Sequence, residues 1–161
     1  MYFARVDDET ILLAGIDLSW WELLHQIPES SKIGDDSARD RLYPRPTEST
    51  DKTFEQDWED FVQPELKELF QSSIEIVEQD LEACAIEETQ LYYNLVIPVK
   101  HLPAWINALN QARLALGARY GVTEVDMEGH AQGTDERLLA IDKINLYGQL
   151  QEYFMRAADG V

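Results

Sequence analysis

The sequence contains one cysteine, Cys84, so no internal disulfide can form. Basic residues are also scarce: 13 lysines and arginines stand against 31 aspartates and glutamates, for a formal net charge of −18. A field of that sign repels phosphate backbones, which disfavours direct binding to nucleic acid. The lone thiol fits a reducing, cytoplasmic location better than a secreted one.

Long apolar runs are absent as well. Unbroken apolar stretches fall far short of the ~20 residues that a membrane-spanning helix needs, and residues 1–8 lack the basic and apolar regions of a signal peptide. We therefore expect a soluble protein with no membrane contact. The chain does have 45% hydrophobic residues in 161 positions, enough to bury the core of a single domain over residues 1–161.

The residue patterns of common enzyme and metal sites are missing. No nucleophile elbow, phosphate-binding loop or dinucleotide-binding glycine motif occurs. The three histidines are scattered, so Cys84 is more simply an inert core residue than a nucleophile. A short acidic stretch without calcium-loop spacing is more simply a solvated loop than a cation site; it contains Asp126, Glu128, His130 and Asp135. We predict no catalytic residue, metal or cofactor.

Two short segments near the start predict a β-hairpin. Residues 3–6 and 10–13 are rich in strand-forming side chains and flank a polar break of turn length. A hairpin alone is marginally stable in water. Residues 91–97, which are aromatic and β-branched and end before Pro98, are a candidate third strand.

Apolar spacing predicts about four helices, so we expect a mainly α helical bundle carrying this small sheet. The segments are 17–27, 54–84, 103–121 and 134–155. Ser19 and Glu22 form a capping-box pattern at the start of the first helix, and Pro28 ends it. Pro64 either begins a new helix or kinks a continuous one. The apolar residues of the last helix cover a wide arc, as in a central or interface helix.

The segment 53–88 carries most of the acidity, with twelve acidic residues and one lysine. On a helical projection four glutamates lie opposite the apolar stripe, which is most simply a solvated face. They are Glu68, Glu75, Glu78 and Glu82. As an alternative, this face mimics nucleic acid and occupies a basic groove on a partner.

The helix that begins near Pro103 combines an apolar face with polar residues at helical spacing. Trp105, Leu109 and Leu116 are expected to point inward. Asn110, Arg113 and Gly117 share a face. We expect Arg113 to pair with a carboxylate such as Asp142, because a buried arginine needs a neutralising partner. The alternative is an anion site centred on Arg113 and Asn110.

The segment from about residue 29 to 52 is rich in Ser, Asp, Thr and Pro and lacks periodicity, which predicts a loop. It holds three arginines in an otherwise acidic chain: Arg39, Arg41 and Arg45. They are interpreted as part of a surface loop anchored by Leu42 and Tyr43, or as a docking arm for carboxylates on a partner.

The segment from Trp105 to Arg119 resembles the signature of a bacterial family of domains of unknown function, number 2017. The shared pattern is Trp-Ile-x-x-Leu-Asn-x-x-Arg-Leu-x-Leu-Gly-x-Arg, and weaker pieces are Phe3-x-Arg5 and Arg39-x-Arg41-Leu42-x-Pro44. The sequence departs from the family at Gln111, where Asp is usual, and at Tyr120, where Leu is usual. The resemblance implies no activity or cofactor. Genes of the family often neighbour that of the Clp protease adaptor, which implies a link to regulated proteolysis.

From these observations we predict a non-catalytic protein-interaction module that binds a protein partner or a second copy of itself. Two alternatives stay open. One is a small anionic-ligand-binding protein centred on Arg113 and Asn110. The other is the acidic mimic of nucleic acid described above.

Overall fold

The computed structural model describes residues 1–32, 42–43, 52–84, 91–130 and 132–158. Within those ranges the protein is mainly α, as predicted. The strands are β1 (Tyr2–Arg5), β2 (Thr10–Ile16) and β3 (Tyr93–Pro98), and the helices are α1 (Leu18–His25), α2 (Ile27–Ser30), α3 (Lys52–Asp57), α4 (Gln63–Glu82), α5 (Leu102–Arg119) and α6 (Asp135–Ala158). A π-helical turn spans Trp58–Val62, a 3-10 turn Val99–His101 and a second π-helical turn Asp126–His130.

The three strands form one antiparallel sheet in the order β1-β2-β3. This arrangement confirms both the predicted hairpin and the predicted third strand, although β3 begins at Tyr93 rather than at residue 91. The register pairs Leu12 with Val96. A bulge follows in β2, where Gly15 adopts a φ of +66° and donates its N–H to the Asn94 side chain at 3.2 Å. The third strand covers one edge of the hairpin, which explains how a marginal two-stranded unit is stabilised.

The first predicted helix is in fact two short helices. The capping residue is Asp17, whose carboxylate accepts the Trp20 N–H at 2.9 Å, so the predicted Ser19–Glu22 capping box is wrong. Pro28 does not end α1; it lies in the first turn of α2. Proline is tolerated there because the N–H groups of a first turn have no partner within the helix.

The segment around Pro64 follows a helical path with a π-helical turn immediately before the proline, which lies in the first turn of α4. The helical spacing of residues 54–84 predicts an apolar stripe that includes Phe61, Leu69, Val77 and Leu81, and this prediction is only partly correct. Val77 and Leu81 are buried, but Phe61 is 66% exposed and Leu69 is 48% exposed. The π-helical turn adds residues to the helical repeat, so the regular 100° projection used for the prediction loses its phase there.

The core is built around α5, which packs on α4 and α6. Trp105 and Leu109 are fully buried and Leu116 nearly so, which confirms the predicted inward face. The Trp105 ring lies 5.4 Å from the ring of Phe154 on α6. Aromatic pairs of this kind contribute large buried area as well as a geometric preference, so this contact fixes α6 against α5.

The turn after α5 reverses the chain towards α6. Gly121 has a φ of +58°, and the Val122 N–H donates to the Gly117 carbonyl at 2.9 Å. This is a glycine-terminated C-cap at the end of the predicted helical segment 103–121, and it satisfies a carbonyl that the helix end leaves free. Beyond it, the predicted loop contains the second π-helical turn, and α6 extends to Ala158 rather than ending near residue 155.

Candidate functional site

A cleft of about 370 Å³ lies between α1 and α6. We call it the α1–α6 groove; its lining residues are Ser19, Trp20, Glu22, Leu23, Gln26, Leu139, Asp142, Lys143 and Leu146. Leu139, Asp142 and Leu146 are three to four residues apart in α6, so they lie on one face of that helix. Leu139 is 57% exposed, although it is a large apolar side chain. The wide apolar arc of α6 therefore reaches beyond the core and into this groove.

Charged side chains border the α1–α6 groove. Glu22 and Asp142 are exposed and Lys143 is partly exposed. Among the described residues none of these three forms a salt bridge. An apolar floor with unpaired charges at its edge has the composition of a protein-recognition surface, in which apolar contacts give affinity and rim charges give orientation.

A second feature is a buried carboxylate at the junction of α4 and α5. Asp80 is 6% exposed and accepts hydrogen bonds from the Trp105 Nε1–H at 2.8 Å and from His101 Nδ1 at 2.9 Å. A carboxylate that holds one ring nitrogen of a histidine fixes the orientation of the ring, as in many catalytic and metal sites. In the described part of the chain, however, His101 has no other side-chain partner and no group of His, Cys, Asp and Glu could hold a metal. The hydrogen bonds from Trp105 and His101 to Asp80 connect α4 to α5 and to the turn before it.

Sequence reasoning did not identify the Asp80 cluster. One signal was present, because Asp80 lies three residues after Val77 and one turn before Cys84, on the apolar side of α4 rather than on its acidic face. A carboxylate in such a position has to be buried against donors. The donors come from α5 and from the turn before it, and their identity was not predictable from spacing.

Arg113 does not pair with Asp142. Its Nη1–H donates to Gln151 Oε1 at 2.7 Å, while Asp142 lines the α1–α6 groove. The reason is the antiparallel register of α5 and α6, which places Gly148 and Gln151 opposite Arg113. The guanidinium carbon is 3.4 Å from the point where a Cβ on Gly148 would lie, so the side chain rests against bare helix backbone. Among the described residues no acid pairs with Arg113, and the predicted pairing with Asp142 is wrong.

The other residues proposed for the anion site lie on the same face of α5 as predicted. Asn110 is partly exposed and Gly117 is buried. Gln151 also donates to the Ile106 carbonyl at 3.4 Å, so its amide contacts α5 at both Ile106 and Arg113. Among the described residues Arg113 Nε is buried without a hydrogen-bond partner, so the Gln151 amide satisfies only part of the guanidinium. Anion binding at Arg113 and Asn110 stays a prediction.

The predicted acidic loop after α5 holds a structural ion pair. Asp126 accepts hydrogen bonds from Arg137 at 2.6 Å and from the backbone and hydroxyl of Thr123 at 2.8 and 2.7 Å. The Arg137 hydrogen bond first, and the Thr123 donors second, hold the pKa of Asp126 well below its usual range. Arg137 also donates to the Tyr120 carbonyl at 3.2 Å, so the pair connects the end of α5 to the first turns of α6.

The remaining candidates divide into exposed acids and residues outside the described part. The four predicted glutamates of α4 are all exposed, and they are Glu68, Glu75, Glu78 and Glu82. Arg39, Arg41 and Arg45 lie outside the described residues. The neighbouring Leu42 and Tyr43 are both buried, and the Tyr43 ring packs 5.5 Å from Phe70, as expected for residues that anchor a loop.

Cys84 has the surroundings of a structural thiol. Its Sγ–H donates to the Asn94 carbonyl at 3.2 Å, and burial raises the pKa of the thiol. A raised pKa keeps the less nucleophilic protonated form at neutral pH. Across the described ranges, no helix combines the length and hydropathy needed to cross a bilayer.

The fold and the groove together define a small, mainly α domain that carries a three-stranded antiparallel sheet and an open helix–helix cleft. The sequence model of the family described as "Domain of unknown function (DUF2017)" matches residues 4–158. The chain therefore belongs to this family. No curated protein and no solved structure matches it.

Proposed function

We propose that this protein is a non-catalytic interaction module, and that the α1–α6 groove binds a basic amphipathic helix of a partner protein. The observation that carries the proposal is the position of Leu139, a 57% exposed apolar side chain that lines a cleft between two helices. Grooves of this kind receive the apolar face of a helix at positions spaced three and four residues apart.

The apolar floor supplies the affinity. Trp20 and Leu146 are partly buried and Leu23 nearly fully buried, so they offer a preformed surface, whereas Leu139 has most of its side chain left to cover. Full burial of a leucine side chain contributes about 1.5–3 kcal/mol. Because 57% of Leu139 is exposed, covering it contributes about 0.9–1.7 kcal/mol, which is about 4- to 20-fold in affinity.

The charge supplies the preference for a basic partner. Glu22 and Asp142 border the groove against the single Lys143, and the whole chain carries a formal charge of −18. The long-range field attracts a basic segment and repels a second copy of the same chain. Self-association remains an outcome of the test, and it would appear as a dimer mass in light scattering.

The test is a titration of isotope-labelled protein with a helical peptide that carries leucines on one face and lysines on the other. We expect amide shifts at Trp20, Leu23, Leu139 and Leu146 that saturate and weaken with added salt. A scrambled peptide with the same composition but no apolar face controls for non-specific attraction to an acidic protein. Equal binding of the two peptides would contradict the proposal.

A matched pair of variants locates the site. Leu139→Asp places a charge on the groove floor and should weaken peptide binding at least tenfold. Leu91→Asp makes the same change at a side chain that is 82% exposed and lies outside the groove, so binding should stay within twofold. Loss of binding in both variants, or in neither, would show that the groove is not the docking site.

We further propose that the partner belongs to regulated proteolysis. This step rests on the family's gene neighbourhood with the Clp protease adaptor and on no contact in the structure. It predicts that the purified adaptor or its protease binds the protein and competes with the amphipathic peptide. Absence of binding at micromolar concentration would remove the pathway assignment and leave the groove proposal intact.

A further inference from the structure

A separate cleft lies between β1 and the end of α6. Its volume is about 320 Å³, near the lower limit of the roughly 300–1,000 Å³ common for small-molecule sites. We call it the β1–α6 cleft; its lining residues are Phe3, Ala4, Arg5, Ile11, Tyr153, Arg156 and Ala157. Among the described residues no acidic side chain lines it, although acids outnumber bases 31 to 13 in the chain.

Two aromatic rings form one wall of the β1–α6 cleft. The Phe3 and Tyr153 rings stack with centroids 4.9 Å apart and planes 20° apart. Phe3 is held from behind by an edge contact with the buried Phe154 at 5.3 Å. Tyr153 is 48% exposed, so a flat apolar surface remains open to a ligand.

Two guanidinium groups lie beside this wall. Arg5 donates from Nε to the Asp7 carbonyl at 3.1 Å and from Nη2 to the Asp8 carbonyl at 3.2 Å, which fixes the side chain and leaves Nη1 without a partner in the described chain. The Asp8 carboxylate is 4.0 Å from Arg5 Nη2 and fully exposed. Arg156 gives one Nη2 hydrogen bond to the exposed Glu152. Both arginines therefore keep donors for an added acceptor.

We infer that the β1–α6 cleft binds a small carboxylate carried on an aromatic ring. The ring would stack on Tyr153, and the carboxylate would accept hydrogen bonds from Arg5 and Arg156, whose planar donors match carboxylate geometry. A monoanion is favoured over a phosphate dianion because the net charge of −18 repels each added negative charge. This site is distinct from the α1–α6 groove and does not rest on the proposed function.

The test is a titration of the labelled full chain at 0.15 M salt with benzoate, benzamide, phenyl phosphate and N-acetyl-phenylalanine. We expect benzoate to shift the amides of Phe3, Ala4 and Tyr153 with a Kd of about 1 mM, as suits so small a ligand. Benzamide should bind at least tenfold more weakly, because it lacks the charge. If N-acetyl-phenylalanine binds and benzoate does not, the cleft still binds a carboxylate, and the natural ligand is the C-terminus of a peptide.

Two variants with equal charge changes separate the cleft from the general field. Arg156→Gln should weaken benzoate binding about tenfold. Lys100→Gln, at an exposed base outside both the α1–α6 groove and the β1–α6 cleft, should leave it within twofold. Since Arg156 is largely exposed, a melting curve that matches the unmodified protein verifies the fold. Equal binding of benzamide, tighter binding of phenyl phosphate, or an unchanged Arg156→Gln variant would each overturn the assignment.

Discussion

Replacement of Asp80 tests the strongest polar contact in the core. Asp80→Ala removes the carboxylate that accepts hydrogen bonds from the Trp105 Nε1–H and from His101 Nδ1. The Trp105 side chain has no exposed surface, so its N–H cannot bond to water instead. A hydrogen bond to a carboxylate contributes about 1.5–3 kcal/mol, so the loss of both should cost about 3–6 kcal/mol. In a domain of this size that corresponds to a fall in Tm of roughly 6–24 °C. Asp80→Asn keeps one acceptor oxygen and should cost about 1–2 kcal/mol.

Urea unfolding monitored by circular dichroism measures these costs without relying on tryptophan emission. Glu82→Ala is the control, because it removes an exposed acid two residues along α4 and should change stability by less than about 0.5 kcal/mol. Combining Asp80→Asn with Trp105→Phe in a double-mutant cycle isolates the hydrogen bond between them. If Asp80→Ala costs no more than Glu82→Ala, the buried anchor is refuted.

Three further predictions concern single contacts. Tyr147→Phe removes the hydroxyl that donates to the Leu23 carbonyl at 3.0 Å, and it should cost about 1 kcal/mol in urea unfolding. Burial raises the pKa of Tyr147, so ionisation above pH 10 favours the unfolded chain. The same variant should therefore lose less stability above pH 10 than the unmodified protein. Gly121 has a φ of +58°, and an added Cβ would meet open space, so Gly121→Ala should cost about 1–2 kcal/mol from backbone strain alone. Asparagine tolerates this conformation better than alanine, so a smaller fall in Tm for Gly121→Asn would verify this cause. The lowered pKa of Asp126 stabilises the fold at any pH above the pKa of an ordinary aspartate, and this stability is lost as the pH falls below about 4. Asp126→Asn should therefore flatten the dependence of the unfolding free energy on pH in that range. An unchanged slope would contradict the pairing with Arg137.

Local patterns predicted the sheet and the inward face of α5 because each depends on neighbouring residues. The aromatic and β-branched residues before Pro98 favour a strand, and Trp105, Leu109 and Leu116 share a face in any regular helix. Helix boundaries were less predictable. Asp17 and Ser19 are both good caps, and the choice between them depends on where β2 ends.

Contacts between distant elements were not predictable in the same way. The partner of Arg113 depends on the register of α5 against α6, and about two and a half helical turns separate Asp142 from the observed Gln151. The α1–α6 groove joins residues more than 110 positions apart in sequence. The sequence indicated this groove in one way, through the wide apolar arc of α6, which extends past the core to Leu139.

The most direct test of the interaction account is a photo-crosslinking amino acid placed at position 139 in cells of the source organism. The account predicts a discrete heavier adduct whose crosslinked peptide, read by mass spectrometry, is an amphipathic segment rich in lysine or arginine. The same group at position 91, where Leu91 is 82% exposed outside the groove, should not give that adduct. An adduct to an acidic or non-amphipathic segment, equal crosslinking at both positions, or none at 139 would contradict the claim that this groove is a docking site.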